Sequence, residues 1–347
     1  MGEHSAKFYL RHAGGGCDLI LKRGCLANLR SFTDTQNRKV AVITGAGTPE
    51  ALAGQVLAQC KNGSVCRLPA GEKGRGMAGV QFVLEALCRQ GLAQGDLAVA
   101  LGGRNVQGVA GLAAAIYQGG IELAACPSTA QAQLCACGGE LLGVELARPG
   151  CRAGVYKAPA LIMVDPALPE TEPAARRAAG YAWALQIALT CDPKLLALLE
   201  AAEPDYDEIL WRTLQNKKHL MDQNPAQRAP VLECGMPLAR ALWQLYGCRG
   251  RRTKGLLPGE CLVLALEGVT MDKALLHRLR ALCRALGLPA RAVWNRSRVL
   301  EALLDEAVWQ GGALESVQIT GLGCWQACRL QPNEIRQRLQ PKTPEEK

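Results

Sequence analysis

Few residues in this chain have the type and spacing to do chemistry. The first candidate is the stretch Leu101-Gly-Gly-Arg-Asn-Val-Gln-Gly108, which follows the apolar run Asp96-Leu-Ala-Val-Ala-Leu101. Small residues continue from Val109 to Tyr117, so the pattern reads as a buried parallel strand, a glycine turn and a closely packed helix. Such a turn exposes backbone N–H groups to a dinucleotide pyrophosphate. It does not match G-x-G-x-x-G, and the same residues also make a tight strand-to-helix turn with no ligand. The sixteen cysteines are a second candidate set, but no C-x-x-C pair occurs among them. Their closest spacings are Cys135-Ala-Cys137 and Cys324-Trp-Gln-Ala-Cys328. These read as reduced thiols packed as small apolar side chains, with a metal or redox role as the lesser alternative.

The elements that must position these residues follow from length and pattern. A chain of 347 residues, 49% hydrophobic and only 4% aromatic, predicts two domains with cores built from Leu, Ala and Val. From Phe8 to about Asp165, short apolar strands alternate with helices: Lys39–Thr44, a helix from Pro49 to Cys60, Ser64–Leu68, a helix from Gly79 to Gln90, and Ile121–Cys126. That alternation predicts an α/β domain with a mostly parallel sheet over residues 1–167. Residues 168–347 read as mainly helical, with helices over 174–190, 194–203, 205–221, 236–247, 259–270 and 272–286, a short strand at Glu315–Thr320 and a frayed tail from Pro341.

The formal charge of +9 is modest for this length, and its densest cluster is Arg249-Gly-Arg-Arg-Thr-Lys254. Without interleaved aromatics or a known module this reads as a solvated basic loop rather than a nucleic-acid surface, a patch for an acidic partner or anion being the second reading. No apolar run is long enough to span a bilayer, and Met1-Gly-Glu-His-Ser-Ala-Lys7 has no signal-type apolar core. Ala6 stands where a myristoylation pattern needs Ser or Thr. A cytoplasmic protein with no membrane partner is expected.

A series of motifs then resembles the 3-dehydroquinate synthase family along nearly the whole chain. These are Pro69-Ala-Gly-Glu-Lys-Gly-Arg75, Ala100-Leu-Gly-Gly103, Pro127-Ser-Thr129, Ala132-Gln133, Val164-Asp-Pro166, Thr171-Glu-Pro173, Ala179-Gly180, Cys191-Asp-Pro193, Gly259-Glu260 and Gly311-Gly312. The resemblance implies a nucleotide-binding α/β domain followed by a helical metal and substrate domain. It also implies an NAD-dependent, zinc-assisted carbon–oxygen lyase of aromatic amino-acid (shikimate) biosynthesis, which closes a ring from a seven-carbon sugar-acid phosphate.

Position by position, the implied chemistry is missing. The family's G-L-A-E-V-I-K-Y helix reads Gly180-Tyr-Ala-Trp-Ala-Leu-Gln-Ile187, with Trp183 at the first zinc-ligand position and Gln186 at the lysine. Its G-H-T-x-G-H and H-G-E segments read Gly235-Met-Pro-Leu-Ala-Arg240 and Pro258-Gly-Glu260. Met236, Arg240 and Pro258 therefore replace histidines, and Glu233 replaces an Asn. The four histidines, His4, His12, His219 and His277, fall at none of these positions. Trp, Met and Pro do not supply the N and O donors of a zinc site. Cationic positions have gone too: Gly119 stands for an Arg, the segment Cys137–Leu141 has no Lys, Gly150 and Cys151 stand for Lys-Asn, and Ala307 stands for a Lys. The cofactor stretch is eroded rather than erased. Gly71, Glu72, Arg75, Gly102, Gly103, Arg104 and Thr129 remain as weak NAD-site candidates, while the strand-end Asp expected at the adenosine ribose is Gly45.

The resulting expectation is a family member without catalysis or zinc, with NAD a lesser possibility, and with a binding or scaffolding role. A second copy or an active relative is the expected partner. The alternative is an active 3-dehydroquinate synthase or related NAD-dependent cyclase with an altered site, for which Glu233, Cys234, Met236, Glu260 and Cys261 are the nearest substitute donors. Glu260 has a competing role in the first turn of a helix.

Overall fold

Seven strands form the sheet that the alternating apolar runs demand. The computed structural model describes residues 5–12, 15–136, 141–146, 151–223, 230–247, 255–290, 294–309 and 312–339. The strands are β1 (Ala6–His12), β2 (Gly15–Leu21), β3 (Lys39–Gly45), β4 (Asn62–Leu68), β5 (Leu97–Gly102), β6 (Glu122–Pro127) and β9 (Leu161–Val164), in the order β1-β2-β9-β6-β5-β3-β4. Every pairing is parallel except β1 with β2. All six residues of β5 are buried, as a central parallel strand requires. The separate ribbon β7 (Leu141–Glu145) and β8 (Arg152–Tyr156) is antiparallel.

Helices cover both faces. α1 (Glu50–Leu57) sets Ala53 and Val56 against Val40 and Val42. On the other face, α2 (Gly76–Arg89) and α3 (Arg104–Ile116) pack Val80, Val83, Val106 and Val109 against Ala41 and Ile43. α3 begins at Arg104, five residues before the helix expected from Val109, because extended Gly103 caps it and the glycine stretch itself forms its first turn. Two short helices follow, α4 (Ala130–Leu134) and α5 (Ala174–Gly180).

The chain divides into two compact units, Met1–Gly180 with Asp205–Gln223, and Tyr181–Pro204 with Asn224–Lys347. Residues 168–180 thus lie with the sheet rather than with the helical part expected from 168 onward. Asp165 explains this: its carboxylate accepts from the N–H groups of Gly24, Leu26 and Ala167, and Leu168 joins the core beside α1. Helix α8 (Tyr206–Met221) also returns to the first unit. There Asp207 pairs with Arg23 and Lys217 donates to the Leu134 carbonyl at 2.5 Å.

In the second unit, α6 (Ala182–Thr190) is buried at all nine positions. The helix expected over 174–190 is therefore two, α5 and α6, with Tyr181 between them. Gly180, which ends α5 within the first unit, lies close against α4, since a Cβ there would stand 2.6 Å from Ala130 of the same unit. After α7 (Pro193–Leu199) come α9 (Met236–Tyr246), α10 (Pro258–Val269), α11 (Lys273–Ala285), α12 (Arg296–Trp309) and α13 (Pro332–Leu339). The expected strand at 315–320 is β10 (Leu314–Gly321), paired antiparallel with β11 (Cys324–Leu330). Among the described residues no helix is long and apolar enough to cross a membrane.

Candidate functional site

In the first unit, parallel pairing brings the sequence-predicted cofactor residues to one end of the sheet. Gly71, Glu72 and Arg75 follow β4, Gly102, Gly103 and Arg104 end β5 and begin α3, and Thr129 follows β6. Gly71 has φ 77°, a conformation that only glycine adopts freely, and its turn is tied to α3 by Asn105, whose side-chain amide donates to the Gly74 carbonyl at 2.8 Å. A Cβ on Gly103 would stand 3.2 Å from Thr129, which itself caps α4 by accepting from the Ala132 N–H.

The turn's own side chains close it. Gln107 donates to the carbonyls of Ala100 at 2.8 Å and Gly102 at 3.0 Å. Val106 fills the space beside both glycine strand ends: a Cβ on Gly102 would lie 2.6 Å from it and one on Gly45 3.0 Å. Arg104 sits at the first position of α3, half exposed, with Nη2 3.7 Å from Glu145. The first turn of α3 carries no acidic residue. The arrangement fits a phosphate at the start of α3. The end of β3 is Gly45, which carries no carboxylate.

A second polar group in this unit centres on Gln133 of the Ala132-Gln133 motif. Gln133 is fully buried; its amide donates to the carbonyls of Pro127 and Asp165 and its oxygen accepts from the Tyr206 hydroxyl at 2.9 Å. Lys217 lies beside it, buried, on the Leu134 carbonyl. Glu172, raised above the usual carboxylate range by burial, accepts from the Ala130 N–H at 2.7 Å.

In the second unit, the residues that the sequence resemblance sets against metal and catalytic positions pack as follows. Trp183 is buried in α6. Gln186, 2% exposed, donates from one amide nitrogen to the carbonyls of Cys234 at 2.7 Å and Leu232 at 3.1 Å. Arg240 on α9 pairs with Glu233 at 2.8 Å. Met236 opens α9 behind left-handed Gly235, and Pro258 opens α10, where its missing N–H costs nothing. Glu260 accepts from the Leu257 N–H at 2.6 Å, a helix-capping role. Burial pushes the Cys234 thiol up to about 12, far from a ready thiolate.

Asp305 is exposed on α12. Ala307 lies in α12, with its side chain outside the description. His4, the segment 137–140, Gly150, the basic cluster 249–254, Gly311 and the tail lie outside the described residues. Trp183, Met236 and Pro258 carry none of the side-chain donors that usually hold zinc. Among the described residues no three of His, Cys, Asp and Glu are grouped to hold a metal.

A family model described as 3-dehydroquinate synthase N-terminal matches residues 65–179. The 3-dehydroquinate synthase of Mycolicibacterium vanbaalenii is 27% identical over 323 residues, covering 88% of this chain and 89% of that protein. That of Prochlorococcus marinus is 26% identical over 370 residues, covering 98% and 99%. In structure, the chain is similar to 2-epi-5-epi-valiolone synthase from Streptomyces hygroscopicus, determined with NAD+ and Zn2+ bound, with a TM-score of 0.79, 22% identity and 93% and 95% coverage. It is also similar to a 2-deoxy-scyllo-inosose synthase complexed with carbaglucose-6-phosphate, NAD+ and Co2+, with a TM-score of 0.78, 15% identity and 96% and 99% coverage. With its parallel-sheet unit and its helical unit, the chain is similar along nearly its whole length to 3-dehydroquinate synthases, and residues 65–179 match that family's N-terminal model.

Proposed function

We propose that this chain is a non-catalytic member of its family that has kept the fold for a binding or scaffolding role, its partner being a second copy or an active relative. The supporting observation is Gln186. Where the family's helix carries a lysine, this chain buries a neutral amide and spends it on two backbone carbonyls of its own unit. An amide so held is packing, not a group available to a phosphorylated acid. Trp183, Met236 and Pro258 extend the pattern, because none carries a donor that polarises a substrate oxygen through zinc.

The test combines metal analysis of protein purified without added metal, light scattering, and an assay for ring closure of the seven-carbon sugar-acid phosphate with NAD and zinc supplied. Expected are zinc far below one per chain, no ring closure, and self-association or co-purification with an active relative. Stoichiometric zinc together with turnover would put the altered but active cyclase in its place.

A further inference from the structure

The large sheet ends at β1 on one side and at β4 on the other, and the two edges differ. β1 packs against α8 and carries Lys7 and Arg11. β4 pairs with β3 in unbroken register from Asn62 to Leu68, and with no strand on its other side among the described residues. Its outward N–H and C=O groups are a template for another strand, which natural edges blunt with charge, proline or a bulge. β4 has neither proline nor bulge. Its one charged residue, Arg67, is drawn aside: Nη1 donates to the carbonyls of Gly45 and Thr48, both at 3.2 Å.

Two side chains show which backbone groups face outward. The Ser64 hydroxyl reaches the Val40 carbonyl of β3 at 3.5 Å, so residue 64 turns toward its partner strand. The Gln90 amide of α2 reaches the Val65 carbonyl at 3.5 Å. Because alternate residues turn opposite ways, Val65 holds its N–H and C=O to the open side. Its side chain is 38% exposed, and beside it an open groove is lined by Cys66, Phe82, Ala86, Arg89 and Gln90.

This edge is complementary to itself. A two-fold axis through Val65 sets β4 antiparallel to its own copy, with both N–H···O bonds of the central pair made between the two Val65 residues. Ser64 then opposes Cys66 and Arg67 opposes Gly63, so no charge lies directly across from its like. The flanking charges match as well. On α2, Glu85 and Arg89 are exposed and paired at 3.8 Å, and the axis brings each Glu85 to Arg89 of the other copy. Glu50, 90% exposed beside Arg67, meets exposed Lys61 of the other copy.

We propose that the β4 edge, together with the outer face of α2, is an interface to a second copy of this chain, joining the two sheets into one. This rests on the second-copy form of the proposed function and gives it a surface.

Sedimentation equilibrium and hydrogen exchange of the full chain test it. Expected are a dimer, and amides of Gly63, Val65 and Arg67 that exchange more slowly as concentration rises. Val65→Pro removes an outward N–H while keeping the bonds to β3, and Val65→Lys sets like charges across the axis. Each raises the dimer dissociation constant by about tenfold or more, with circular dichroism unchanged. Arg89→Glu also weakens the dimer, and adding Glu85→Arg restores it. A dimer indifferent to all these single variants, or an Arg89→Glu dimer that Glu85→Arg does not restore, overturns this surface and leaves the second-copy reading standing. A monomer overturns both, and one that co-purifies with an active relative leaves that relative as the partner.

Discussion

At the residue scale, a polar side chain can be spent wholly on the interior. Gln186 satisfies the Leu232 and Cys234 carbonyls from within α6, so Gln186→Leu leaves two buried acceptors bare. Its cost is expected at about 1–3 kcal/mol, read as a lower urea midpoint at unchanged slope; an unchanged midpoint would mean that those carbonyls find other partners. Arg67, Gln107 and Lys217 were not legible in the sequence, although each reaches a backbone carbonyl. Side-chain sequence does not mark which carbonyl a long polar side chain will meet across a fold, above all when, as for Lys217 and Leu134, 83 positions separate them.

At the element scale, glycine marks where backbones press together. Gly108 on α3 faces the β7–β8 ribbon, and a Cβ there would stand 2.6 Å from the Gly143 carbonyl oxygen. Gly54 in α1 has nothing within 4 Å of the same atom. Thermal melts are expected to separate the two: Gly108→Ala destabilises by about 1–3 kcal/mol through overpacking, and Gly54→Ala stabilises by about 0.5–1 kcal/mol through helix propensity. Equal effects would mean that α3 shifts freely against the ribbon. The central strands and their helices were legible as apolar runs of alternating length. The ribbon was not, because β8 alternates between half-buried and exposed residues and shows no apolar stripe to read. Nor was the break at Tyr181, because α5 and α6 read as one helical stretch until Gly180 meets Ala130.

At the scale of the whole molecule, scattered cysteines act together through burial. Burial pushes the thiols of Cys25 and Cys283 up to about 12 and that of Cys66 up to about 11, and raises Cys126 as well. The unfolded chain loses these protons near its ordinary thiol value of 9.0, while the folded chain still holds them. Between the two values the unfolded state binds fewer protons, so stability falls as pH rises. The thermal midpoint is therefore expected to hold steady to about pH 8 and then drop toward pH 10 and beyond, and a flat midpoint across that range would contradict this burial. The return of α8 to the first unit was not legible, because it rests on contacts such as Arg23 with Asp207, 184 positions apart.

That return has a consequence for how the protein is made. A growing chain that has reached Gly180 holds every strand of the large sheet, but not the helix whose Tyr206 and Lys217 meet Gln133 and Leu134. Synthesis runs from the N-terminus, so the first unit must wait, incomplete, while residues of the second emerge. Only when about Gln223 clears the ribosome does the first unit close, with the chain from Asn224 onward still to emerge. The first unit is thus completed by a helix made after part of the second.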